Sequence, residues 1–192
     1  MFNILSGGST PLIVGIIVGI LLLIVVSWWI STSNKFKRMQ IKIDEALSGI
    51  DVALTKRFDL LTKAIATAKG YAKHEQETLE KIVAMRNPGR NSSLEEKQAF
   101  ANQTTEAIKT LNIVAEQYPT LKADTQFTAI QNHIADIEEQ LQAARRLYNA
   151  NVSAYNQAII VFPASLVAGS KFTKRDFFEA EDAKREDVKI EF

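Results

Sequence analysis

The 192-residue chain has no cysteine. Disulfides, thiolate metal sites and cysteine nucleophiles are therefore excluded, which is compatible with a reducing compartment. Histidine is nearly absent too, with only His74 and His133, and neither stands in E-x-x-H or H-x-x-x-H spacing. The di-iron bundle and zinc-protease patterns are missing. So are the G-x-x-x-x-G-K-[ST] and G-x-G-x-x-G phosphate loops and the G-x-S-x-G nucleophile elbow. With no catalytic residues, cofactor site or metal set, the expectation is a protein that is not an enzyme. A basic surplus is also lacking: 23 Lys and Arg face 22 Asp and Glu, for a net charge of +1. Too little positive charge remains to displace counterions, so nucleic acid is excluded as a main partner.

Charge of either sign is absent from residues 1–34. Inside them runs an apolar stretch from Pro11 to Ile30. Roughly 20 such residues at 1.5 Å rise cross a ~30 Å hydrocarbon core, so the stretch reads as one transmembrane helix with the lipid bilayer as its partner. No Lys or Arg precedes it. It is too long for a signal-peptide core, and Trp28 and Trp29 stand where a small-residue cleavage site would be. The expectation is a retained anchor, with the tryptophans at the headgroup boundary. Lys35, Lys37, Arg38 and Lys42 follow it. The positive-inside rule then predicts a single-pass protein with its N-terminus outside and residues 35–192 cytoplasmic. The same cluster reads either as a topology signal alone or as a contact to anionic headgroups. Gly15-x-x-x-Gly19 matches the small-residue pattern that lets two membrane helices approach closely.

Helix breakers are scarce beyond residue 35. Gly49, Gly70, Gly89 and Gly169 with Pro88, Pro119 and Pro163 are all there are, among Ala, Leu, Gln, Glu and Lys. That is helix composition. Asn87 to Asn91 reads as a loop, and Tyr118-Pro119 and Phe162-Pro163 as helix ends. Ser92-Ser93-Leu94-Glu95-Glu96 contains two overlapping capping boxes at the start of a helix. Phe127, Ile130, Ile134, Ile137, Leu141, Ala144, Tyr148, Asn151, Tyr155, Ala158 and Phe162 step alternately by three and four, a heptad stripe with Asn151 as a register-fixing polar residue. Apolar Leu147, Val152, Ile159 and Val161 beside it predict a widening buried face, hence a bundle helix. Ile43, Leu47, Ile50, Leu54, Phe58, Leu61, Ile65 and Ala68 form a similar stripe, whose phase continues through Ala72, Leu79 and Ile82. Either one helix runs to Arg86, or Gly70 divides it in two. The fold class is thus all-α: one N-terminal transmembrane helix, a long-helix antiparallel bundle of three or four helices, and a C-terminal tail. The expected divisions are 1–34 (membrane helix about 11–30), 35–163 (cytoplasmic bundle) and 164–192 (tail). Leu141→Asp or Tyr155→Asp should destroy such a fold. In the tail, Val188 to Phe192 alternates with period two, and Phe177-Phe178 reads as an anchor on the bundle or on another subunit, against the alternative of a frayed end.

Several stretches resemble one known family. Ile50-Asp51-Val52-Ala53-Leu54-Thr55-Lys56-Arg57-Phe58-Asp59-Leu60 is similar to the IDVQLKRRxDLI stretch of the LemA family, and Lys69-Gly70-Tyr71-Ala72-Lys73-His74-Glu75 to its KGYAxHE motif. Ala144-Arg145-Arg146-x-Tyr148-Asn149, Tyr155-Asn156, Phe162-Pro163 and Phe177-Phe178-Glu179-Ala180 resemble its ARRxYN, YN, FP and FFEA positions in the same order. Thr62-Lys63 departs from a common Pro-Asn pair. The resemblance implies a helical bundle at the bacterial inner membrane and brings no catalytic residues with it. Arg57, Asp59, Lys69, Tyr71, His74 and Glu75 form one candidate interaction surface near Gly70, with His74 as a titrating contact. The other reading makes them intrabundle ion pairs and helix ends. Arg145 and Arg146 pose the same choice. As a surface set, Arg57 and His74 should tolerate substitution without loss of fold but with loss of a partner. The leading function is a membrane-anchored scaffold that forms homo-oligomers or organises envelope proteins. The alternative is a regulatory adaptor for a membrane protease or signalling system.

Overall fold

In the computed structural model, residues 10–89 and 91–179 are described, and every regular element among them is helical. Six helices follow in order: α1 Thr10–Lys69, α2 Gln76–Val83, α3 Leu94–Gln117, α4 Pro119–Lys122, α5 Thr125–Ile160 and α6 Ala164–Ala168. One 3-10 turn, Lys73–Glu75, precedes α2. The Val188–Phe192 alternation, Ala180 and Arg90 lie outside the described residues.

The chain forms two compact units. The larger comprises Ile43–Val152 with Asp176 onward. Its core draws Leu61, Ile65 and Ala68 from α1, Leu79 and Ile82 from α2, Leu111 and Ala115 from α3, and Phe127, Ile130 and Ile134 from α5. Two contacts give the direction of α1 and α5 there. Arg57 pairs with Glu138, and Tyr71, just past the end of α1, bonds Asp124, just before α5. Advancing along one helix retreats along the other, so they are antiparallel. The smaller unit comprises residues up to Lys42 and Ser153–Arg175. Phe36 meets Phe172 edge-on at 5.1 Å between ring centroids, and the Gln40 amide donates to the Tyr155 hydroxyl at 3.0 Å.

Both heptad stripes face inward over most of their length. On α1 only Leu47 and Phe58 are half-buried, and Phe58 packs on Phe100 at 5.4 Å. On α5 the stripe from Phe127 to Tyr155 is buried except at Ala144 and Asn151, which are half-buried. Phe162 is a correction. It is 75% exposed because α5 stops at Ile160 and the chain turns into Pro163, which has no N–H to continue a helix. The widened apolar face is likewise only partly buried: Val152 and Ile159 point in, while Leu147 and Val161 point out.

The chain does break at Gly70. The Gly70 N–H donates to Thr67 O three residues back, and the N–H groups of Tyr71 and Ala72 both reach Ala68 O. Gly70 does not adopt a positive φ, so its contribution is weak helix propensity rather than left-handed freedom. Gly169 is different. It ends α6 at φ 47°, a conformation that favours glycine. Of the two capping boxes, the structure uses Ser93 and Glu96: the Glu96 N–H donates to Ser93 Oγ at 3.1 Å, and the Ser93 N–H to Glu96 Oε2 at 2.9 Å. At Thr62-Lys63 α1 runs on, with the Thr62 hydroxyl bonded back to Phe58 O.

Candidate functional site

Two cations lie inside the larger unit. Arg57 is 3% exposed and sits between Leu54 and Leu61 on the inward face of α1. Its guanidinium meets Glu138 at 2.7 Å, donates to Thr105 Oγ1 at 2.9 Å, and donates to Ala101 O at 3.2 Å. Arg57 is therefore no surface residue. It cross-links α1, α3 and α5, and the ion-pair reading holds for it. Lys97 is 1% exposed, and its ammonium lies 2.6 Å from both oxygens of Asp51. Burying such charges is tolerable only when they are paired and hydrogen-bonded, as these are. Lys97 escaped the sequence reading. Its signal was position: it begins the inward row Lys97, Ala101, Thr104, Ala107, Leu111 on α3. A cavity of about 330 Å³ opens beside Asp51 and Lys97 against Asn87 and Pro88. Another of about 400 Å³ has Arg57, Glu138, Ile108 and Ile134 in its wall. In both, the charged group is engaged by a partner on another helix.

The residues around Gly70 split up. Lys69 approaches Glu80 at 3.7 Å, a weak bridge over the turn. His74 and Asp59 are exposed, and Glu75 is half-buried. Tyr71 is exposed, yet its hydroxyl donates to Asp124 Oδ2 at 2.8 Å. The other Asp124 oxygen accepts the Phe127 N–H at 2.8 Å, so Asp124 caps α5. The Phe127 N–H, and after it the Tyr71 hydroxyl, hold the Asp124 carboxyl below the usual carboxylate range. The hydrogen bond to Asp124 pushes the tyrosine up, helped by that charge and by burial. This link between two helix ends was not foreseen, since 53 residues separate the partners.

The second candidate surface binds the chain's own C-terminal segment. Asn149 holds the Phe178 backbone at both groups: its amide donates to Phe178 O at 2.9 Å and accepts the Phe178 N–H at 2.8 Å. The Tyr148 hydroxyl donates to Asp176 O at 3.0 Å. The Arg145 guanidinium lies 5.0 Å from the centroid of the Phe178 ring, which is buried. Phe178 is thus an anchor on its own bundle, while Phe177 is 44% exposed and Arg146 is exposed. In the smaller unit Asn156 repeats the device on Arg175, donating to its carbonyl and accepting its N–H. A side-chain amide matches an extended backbone residue donor for acceptor, which accounts for asparagine at both positions.

Gly15 and Gly19 lie on the apolar part of α1, where an added Cβ at either would meet nothing. This helix is long and apolar enough to cross a membrane, and none of that apolar window is buried. Among the described residues no group of three or more His, Asp or Glu stands close enough to hold a metal ion.

A helical bundle preceded by a candidate membrane anchor is the class these features define. The chain belongs to the LemA family, whose model matches residues 46–192. It is also 29% identical over 163 residues to Protein LemA of Metamycoplasma hominis, covering 83% of this chain and 74% of that relative.

Proposed function

We propose that the protein is a non-enzymatic, single-pass scaffold of the inner membrane, with its N-terminus outside and residues 35–192 in the cytoplasm. It self-associates or gathers envelope proteins around it. The observation that carries this reading is the exposure of every side chain from Leu12 to Val18 and from Ile20 to Ser27 on α1. So much uncovered apolar surface needs lipid or another helix. The charge pairs of the interior, which link helices, support a structural rather than a chemical role. Gly15 and Gly19 supply a flat strip for helix–helix approach.

The test is the native mass of the full chain in mild detergent, by light scattering with detergent subtracted. A multiple of the chain mass that falls on Gly15→Ile/Gly19→Ile substitution is the expected result. A mass near one chain would overturn self-association and turn the search to a co-purifying membrane protein, as an adaptor requires. Orientation is read separately, from labelling of single cysteines by an impermeant maleimide on intact cells.

A further inference from the structure

The turn from α5 into α6 leaves a compact apolar surface uncovered. Ile160, Val161, Phe162 and Leu166 are each more than half exposed, with Phe162 at 75%. They belong to the same compact unit as the apolar part of α1. Two contacts within that unit set their level. Gln40 bonds Tyr155, and Phe36 stacks on Phe172, so advancing from Tyr155 steps back along α1 toward the membrane segment. From Gln40 back to Ile30, where the apolar run ends, is about 15 Å of helix, and from Tyr155 forward to Ile160 is about 7.5 Å. The turn therefore lies within about 8 Å of the level of Ile30, and a headgroup layer is roughly 5–8 Å deep on each side of the hydrocarbon. Trp29, itself half exposed, marks the same boundary.

Charge points to the same partner. Residues up to Lys42 and 153–175 contain seven Lys and Arg and no Asp or Glu. The chain's net +1 is thus the balance of +7 in this unit and −6 in the rest. Lys35, Lys37, Arg38, Lys171 and Lys174 are all exposed and belong to this unit. An uncovered apolar turn near the level of Ile30, on a unit whose charged side chains are all cationic, is the make-up of a surface that lies in an anionic interface.

We propose that the α5–α6 turn is a second membrane contact, in which Phe162 and Leu166 insert among the headgroups of an anionic bilayer while the surrounding lysines hold the lipid phosphates. The turn then fixes the rotation of the smaller unit about its anchor. The inference rests on the reading that α1 crosses the bilayer, and the experiment separates the two.

The chain lacks cysteine, so single cysteines can be placed at Ile20, Ile41, Phe162 and Leu166 and labelled with an environment-sensitive fluorophore. The full chain is reconstituted in phosphatidylcholine–phosphatidylglycerol vesicles, with lipid-borne nitroxide quenchers at shallow and deep positions and iodide in the water. Ile20 tests the anchor and should be quenched by the deep nitroxide. Ile41 is 55% exposed and apolar, but stands about 16 Å of helix beyond Ile30, so it should be quenched by iodide. Phe162 and Leu166 should be quenched by the shallow nitroxide several-fold more than Ile41 and shielded from iodide, with a smaller contrast in pure phosphatidylcholine. Iodide quenching at Phe162 and Leu166 with Ile20 still in lipid would overturn the second contact and leave the anchor standing. Shielding from both quenchers would also overturn it, since protein would then cover the turn. Iodide access at Ile20 would overturn the anchor and the inference with it.

Discussion

Arg57→Ala is the sharpest test of the interior. The guanidinium is 3% exposed and serves three groups at once: Glu138, Thr105 and the carbonyl of Ala101. Removing one partner of a buried ion pair costs about 3–5 kcal/mol, chiefly through the charge left behind. Two facts lower that figure here. The Glu138 side chain is 32% exposed, so water can take over part of its solvation, and the Ala101 carbonyl still accepts the Thr105 hydroxyl at 3.0 Å. The expected loss is about 3 kcal/mol, which for a chain of this size lowers Tm by roughly 6–12 °C. Thermal unfolding of the full chain in mild detergent, followed by far-UV circular dichroism, measures it. Arg57→Met with Glu138→Leu removes both charges and keeps the volume, so the double variant should regain most of what Arg57→Met loses. A Tm for Arg57→Ala equal to that of the exposed control Lys56→Ala would refute the reasoning and return Arg57 to the interaction surface.

Stability should respond to pH at both ends through Tyr71 and Asp124. The Asp124 carboxyl is held below its ordinary value, so its contribution is present above the unfolded carboxylate range and is lost as pH falls through the folded value. The Tyr71 hydroxyl is pushed up, so its contribution is present below the ordinary tyrosine range and is lost as pH rises through the folded value. Asp124→Asn keeps a cap acceptor and should flatten the acid side of a Tm–pH curve, whereas Tyr71→Phe should flatten the alkaline side. A curve unchanged by either variant would contradict the link. In the C-terminal segment, Asn149→Ala deletes both bonds to the Phe178 backbone, about 1–3 kcal/mol of local stability, and should speed exchange of the Phe178 amide roughly five- to a hundredfold with little change in Tm. Phe178→Ala also removes the buried anchor and should expose the bonds after Lys174 and Arg175 to trypsin.

Much of the architecture was legible in the chain because it depends on local or periodic signals. The apolar run needs only its length and lack of charge. The heptad stripes need only spacing, and they placed Ile43 to Ala68 and Phe127 to Tyr155 on the buried faces. Ser93 and Glu96 satisfy each other within one turn, so their capping box was visible as a string of letters, although the choice of it over Ser92 and Glu95 is made by the folded backbone. Proline announced ends at Tyr118 and Phe162, close to the Gln117 and Ile160 where the helices stop. The stripe nevertheless ran two residues too far, to Phe162, because periodicity does not register where a helix stops.

What periodicity left open was settled by partners distant in sequence. Whether the first helix broke at Gly70 was a choice between phase continuity and a weak helix former, and the break comes with Tyr71 bonded to Asp124 across 53 residues. Arg57 was open between an interaction surface and an intrabundle ion pair. Its burial depends on Thr105 and Glu138 arriving from α3 and α5, and no pattern within α1 encodes them. Lys97 was passed over for the same reason, until Asp51 of α1 met it. Asn149 and Asn156 were recognisable as family letters without a task, and folding supplied one by bringing Phe178 and Arg175 against them. The sequence by itself determined the helical class, the apolar segment and most of the inward faces, since each follows from propensities and spacings within a few turns. Tertiary structure alone decided which charges are buried, which asparagines hold backbone and which apolar side chains stay uncovered, since those depend on which distant groups come within hydrogen-bonding and packing reach.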